Sequence, residues 1–155
     1  MQTYWMIIGQ YVRKANLNGK GKNNMFLTKE CDYAVRIIRA LADLETKSVG
    51  SICEREQIPL RFSYKIIKKL EHAGIVRSHR GVYGGYQLIK TPDSLTLFDI
   101  VSVVDENLFL NECLRPDSDC PRNSDGNYCG VHAELERIQA ILINSLREKT
   151  MDLVF

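Results

Sequence analysis

Apolar positions along the chain fall into five helical runs and one pair of short strands. Thr28 can cap a helix, and the spacing of Tyr33, Ile37, Ala40, Leu41 and Leu44 predicts that it runs to about Asp43. Ser48 to Glu56 reads as a second, short helix with Ile52 and Cys53 inside. Gln57 and Ile58 form the turn into a third. There, Pro59 suits the first helical turn, where its missing N–H leaves nothing unpaired. Ser63, Ile66, Ile67 and Leu70 recur at helical spacing and predict a buried stripe. Arg61, Tyr64, Lys65, Lys68 and Lys69 fall on the other side. Gly74 supplies the stop. Ile75 and Val76 then start a strand, and Gln87, Leu88 and Ile89 sit in the returning one. Gly81, Gly84 and Gly85 permit a tight reversal between them. Three helices followed by such a ribbon predict a winged helix-turn-helix, closed by Thr91 and Pro92.

Further along, Ser94 to about Glu106 is amphipathic, with Leu97, Ile100, Val101 and Val104 on its apolar face. Residues 111–130 then carry two prolines, two glycines and many Asp, Asn and Ser, a loop without a core of its own. Loops of that length in a compact domain usually serve a function. From Val131 the pattern is helical again, through Leu135, Ile138, Ile141, Leu142 and Leu146. So broad an apolar stripe on a terminal helix predicts pairing with a second subunit; folding back on its own domain is the alternative. The expected fold is mainly α with a small β-wing: a winged helix-turn-helix plus a long C-terminal dimerisation helix. Three regions are expected. Residues 1–24 form a disordered basic extension, or lie upstream of a true start at Met25. Residues 25–92 form the DNA-binding domain, and residues 93–155 hold the loop and dimerisation helix.

With 155 residues, 45% hydrophobic and 26% charged, the chain is globular. Its net charge of +2 says little, but the distribution says more. Residues 1–24 carry 4 Lys/Arg and no acid, residues 25–92 carry 12 against 7, and residues 93–155 carry 5 against 12. A basic front and an acidic rear suit a DNA-facing module joined to something that faces away from DNA. The third helix would enter the major groove and the ribbon would lie on phosphates. Arg61, Tyr64 and Lys65 are the expected base readers. Lys68, Lys69, Arg77 and Arg80 are the expected phosphate contacts, and His79 and Tyr83 complete the surface. The plain alternative is a solvated lysine face beside an ordinary turn; the combination is more specific than either part. No apolar run approaches the roughly 18 residues that span a bilayer. The patch from Tyr4 to Ile8 lacks a cleavage site after it, so a cytoplasmic protein is expected, with neither membrane nor small-molecule partner.

Five cysteines in a reducing compartment suggest metal or redox chemistry rather than structural disulfides. Cys31 and Cys53 sit on helical patterns as small core residues. Cys113, Cys120 and Cys129 are separated by six and eight residues, and His132 follows after two more. Thiolates are soft ligands suited to iron–sulfur clusters or zinc. The alternatives are three uncoordinated thiols, or a redox disulfide with one cysteine left over. A thiolate nucleophile with His132 as base lacks an orienting third group, so an enzyme is not expected.

The segment MFLTKECDYAVRIIRALADL, the RG-x-x-GGY-x-L ribbon from Arg80 to Leu88 and the three-cysteine loop together resemble the Rrf-two-type winged-helix regulators. The resemblance covers roughly Met25 to Lys149. It implies a homodimer held by the terminal helix, and recognition of a palindromic operator in double-stranded DNA by the third helix and wing. In cluster-bearing members the loop cysteines hold a two-iron two-sulfur cluster, which implies Cys113, Cys120 and Cys129 as metal ligands. In IscR-like members a histidine three positions after the last cysteine completes the set, and His132 matches it. In NsrR-like members an aspartate of the partner subunit does so, and Asp32 occupies that position. CymR-like members lack the cysteines and sense through a protein partner. The implied function is a repressor sensing iron–sulfur, redox or nitric-oxide status. The alternative is a metal-independent winged-helix repressor sensing thiol oxidation or a protein partner.

Overall fold

Thr28 starts the first helix as expected: its hydroxyl accepts the Cys31 amide at 3.4 Å, filling one of the donors that a helix start leaves open. The computed structural model describes residues 27–105, 108–123 and 128–155. The expected basic arm, residues 1–24, lies outside them. Helix α1 spans Lys29–Ala40 and stops short of the predicted Asp43. The Lys47 ammonium donates to the Ala40 carbonyl at 2.7 Å and pairs with Asp43, capping the helix end. The chain then turns through Leu44, which has a φ of 62° and is exposed rather than part of the apolar face.

Helix α2 spans Val49–Glu56, with the Ser48 hydroxyl accepting the Ser51 amide at 3.1 Å. Helix α3 spans Leu60–His72. Its Ser63, Ile66, Ile67 and Leu70 are fully buried, as the spacing predicts. The helix ends on Gly74, whose φ of 67° favours glycine. Strands β1, Val76–His79, and β2, Gly85–Leu88, pair antiparallel from Val76 opposite Leu88 to His79 opposite Gly85. Helix α4 spans Leu97–Val104, shorter than predicted, behind a capping box in which Thr96 and Asp99 satisfy each other's amides. Helix α5 spans Gly130–Glu148. The architecture is mainly helical with one small two-stranded antiparallel sheet among the described residues.

One core ties these elements together. Ile37, Ile38, Leu41, Ile52, Ile66, Ile67 and Leu70 form its centre, and the same cluster takes in Leu95, Ile100, Val104 and Met151 from beyond residue 92. Met151 arrives from the chain's end. The Thr150 backbone bridges to Thr96, the Met151 amide donates to the Leu95 carbonyl at 2.8 Å, and the side chain is 0% exposed. A smaller cluster of Cys31, Val101 and Leu108 meets Leu146 of α5. Helix α5 itself buries no residue completely, and Ile138 and Ile141 are exposed.

The ribbon is fastened at two points. The backbones of Lys47 and Tyr86 exchange hydrogen bonds of 2.9 and 2.8 Å, and a Cβ on Gly85 would run into the Lys47 carbonyl. At its base, the Glu71 carboxylate accepts from Lys68 at 2.7 Å and from the Ser78 amide at 3.2 Å. These bonds, the Lys68 contact foremost, pull the Glu71 pKa from its ordinary 4.5 to about 2.

Two outcomes follow from this packing. Met151→Ala should lower unfolding stability by roughly 2–5 kcal/mol in urea titration, because it empties a fully buried site. For Glu71, the folded pKa lies below the unfolded one, so its contribution is complete above pH 4.5 and disappears as pH falls towards about 2. Exchange of the Ser78 amide should accelerate across that window beyond its ordinary pH dependence, and Glu71→Gln should abolish the extra acceleration.

Candidate nucleic-acid interface and thiol loop

Because one side of α3 is dry, its other side must face solvent. Arg61, Tyr64, Lys65 and Lys68 lie exposed on that side. The Arg61 guanidinium stacks on the Phe62 ring, 4.6 Å from its centroid, which orients it at the first turn. Lys65 reaches back to Glu30 of α1 at 3.0 Å, and Lys68 pairs with Glu71. On the ribbon, Arg77, His79, Arg80 and Tyr83 are all exposed, Tyr83 at 94%. The His79 Nε2 shares a 3.0 Å hydrogen bond with the Gln87 side-chain oxygen, and the Gln87 amide donates to the Leu44 carbonyl at 2.6 Å. The ribbon therefore presents two guanidinium groups, an imidazole and a phenol beside a helix with further cations. Basic side chains so placed can meet phosphates, and Arg and Tyr can also meet base edges.

Lys69 differs from its neighbours. It is half-buried, and its ammonium donates to the Val104 carbonyl while standing 3.8 Å from Glu30. Sequence reasoning missed Glu30 and Val104 as partners of α3. The 35 residues that separate each from its lysine leave no local signal.

The three predicted thiols sit in separate turns. Cys113 lies in the short 3-10 turn Glu112–Leu114, where the Asn111 side chain accepts its amide at 3.2 Å. Cys120 opens a turn closed by the Asn123 amide at 2.9 Å. Cys129 immediately precedes α5, and its carbonyl accepts the Ala133 amide at 3.1 Å. All three are free and half-buried. His132 occupies the first turn of α5, and its Nδ1 is buried without a hydrogen-bond partner. Asp32, the other candidate ligand, is held by Arg36 at 3.0 Å. Among the described residues no group of three or more His, Cys, Asp or Glu side chains is gathered to hold a metal ion. The donor set thus suits a cluster chemically, with one imidazole nitrogen unclaimed, while the thiols stand apart. The start of this loop is tied to α5 by the Leu110 amide, which donates to the Gln139 side chain at 2.9 Å. No helix among the described residues is long and apolar enough to cross a membrane.

Comparison with known proteins agrees with this fold. The Rrf2 family model, described as "Iron-dependent Transcriptional regulator", matches residues 27–155. A protein of Synechocystis sp. is 40% identical over 87 residues, 54% of this chain and 59% of that relative's length. Among solved structures, CymR, the global cysteine regulator of B. subtilis, aligns at a TM-score of 0.61 and 25% identity over 81% of this chain and 92% of its own. The T. potens IscR structure shares the fold at a TM-score of 0.64 and 22% identity, over 85% of this chain and 87% of its own. The exposed cationic face of α3, the fastened ribbon and the match across nearly the whole described chain lead to one assignment: this chain belongs to the Rrf2 family of transcriptional regulators, like the regulators it resembles and unlike an enzyme.

Proposed function

We propose that two copies of this chain bind a palindromic operator in cytoplasmic DNA and repress transcription in response to a signal received at the thiol loop. One observation carries the DNA-binding part: the fully dry stripe of α3 forces Arg61, Tyr64, Lys65 and Lys68 outward, beside Arg77, His79, Arg80 and Tyr83 on the ribbon. Arg61 and Tyr64, with Lys65 once released from Glu30, read bases from the first turns of α3. Lys68, Arg77 and Arg80 neutralise phosphates, and His79 and Tyr83 extend that contact along the ribbon. The exposed Ile138 and Ile141 on α5 suit pairing with a second copy, which would set the spacing of the two heads.

For the signal, the favoured reading is a two-iron two-sulfur cluster held by Cys113, Cys120, Cys129 and His132. The unpartnered Nδ1 of His132 supports it, and the ion pair of Asp32 with Arg36 makes the aspartate the weaker fourth ligand. Such a cluster supplies a reversible change of charge and of ligation when it is oxidised, nitrosylated or lost. The chain's own part is mechanical. The loop joins α4, which packs on α3, to α5, so ordering or freeing the loop biases the angle of the reading head. The separation of the thiols among the described residues, and the likeness to CymR, favour a second reading, in which the loop senses thiol oxidation or a protein partner without metal.

Anaerobic purification decides between the two. About two iron and two acid-labile sulfide per subunit, with visible absorption lost in His132→Ala, are expected for the cluster; a colourless protein that takes up no iron on reconstitution leaves only the thiol or partner reading. For DNA, Lys68→Ala should weaken binding to all duplexes about equally and lower the slope of log affinity against log salt by about one. A change of preference at a single base pair would instead make Lys68 a base reader.

A further inference from the structure

Beside their shared apolar core, a side-chain hydrogen bond joins α3 to the root of the thiol loop. Lys69 sits on α3 one turn beyond Lys65, with its side chain 35% exposed. Its ammonium donates to the carbonyl of Val104, the last residue of α4 and itself buried. The carbonyls of a final helical turn lack intrahelical acceptor roles and carry partial negative charge, so an ammonium is a fitting donor there. Glu30 of α1 adds a carboxylate 3.8 Å away. Lys69 therefore fastens α3 to the point where α4 gives way to the segment leading to Cys113.

Helix α4 is also held from the side of α5. The Arg147 guanidinium lies 4.0 Å over the Phe98 ring, and Val101 shares the small cluster that Leu146 covers. A displacement beginning at either end of the loop thus reaches α4, and through Lys69 it reaches α3. Conversely, an ammonium that swung out to a DNA phosphate would leave the Val104 carbonyl without this donor.

We infer that Lys69 is a positioning residue that couples the reader helix to the root of the thiol loop, and that it is not a phosphate contact. The inference rests on the DNA-binding reading above and adds the route of its regulation. It predicts reciprocity: whatever moves the loop root biases α3, and seating α3 on DNA steadies the loop root by the same factor.

The test uses the full-length protein as purified, with wild type, Lys69→Met and Lys69→Arg compared on a genomic duplex selected for tight binding to wild type. Hydrogen exchange is followed by mass spectrometry over residues 101–105 and 108–114, with and without duplex, alongside the salt dependence of binding. In wild type, duplex should slow exchange in these peptides about fivefold or more. In Lys69→Met that protection should vanish while the salt slope is unchanged, and Lys69→Arg, which keeps a cationic donor, should restore it. Where the methionine variant does not fold by circular dichroism, Lys69→Gln takes its place with the same expectations. A salt slope lowered by about one in Lys69→Met, with protection intact, makes Lys69 a phosphate contact and overturns the inference alone. So does wild-type binding without any change in exchange. Failure of wild type to bind any duplex overturns the inference and the DNA-binding reading together.

Discussion

The outward face of α3 depends on a strip of four side chains on the opposite, inward face. Ser63, Ile66, Ile67 and Leu70 are completely buried between α1, α2 and α4. Removing each large aliphatic group from water contributes about 1.5–3 kcal/mol. The solvent-screened ion pairs of the same helix, Lys65 with Glu30 and Lys68 with Glu71, contribute far less. The apolar strip therefore fixes the rotation of α3 about its axis, and the ion pairs only steer side chains on a face already chosen. Ser63 fits this strip because its hydroxyl accepts from the Cys53 thiol at 3.0 Å, so a polar atom enters the core with a partner.

The order of elements was legible in the sequence for the same reason. Spacing alone marks the dry positions of α3 and α4, Thr28 and Ser48 mark helix starts, and Gly74 marks a stop. What spacing cannot show is decided by contacts between distant residues. Helix α1 ends early because Lys47 caps it, and Leu44 turns outward there despite sitting at a helical interval from Leu41. Lys69 belongs to the cationic run by sequence, yet a carbonyl 35 residues away claims its ammonium. Met151 carries no pattern of its own and still fills the core beside Leu95.

The thiol loop shows the opposite balance. Its donors were legible and its arrangement was not, because hydrogen bonds within each turn, rather than a shared core, place Cys113, Cys120 and Cys129. Local bonds of this kind contribute about 0.5–1.5 kcal/mol each. An incoming ligand, an oxidant or a partner can outweigh them. The elements around Ile37, Ile66 and Leu70, by contrast, are held by many fully buried side chains.

The placement of Met151 gives the tail an unexpected weight in the life of the gene. A stop at codon 151 would spare every helix and strand described above, yet it would leave a hole beneath Leu95 and remove the amide that the Leu95 carbonyl accepts. Such an allele should behave as a loss of the whole regulator.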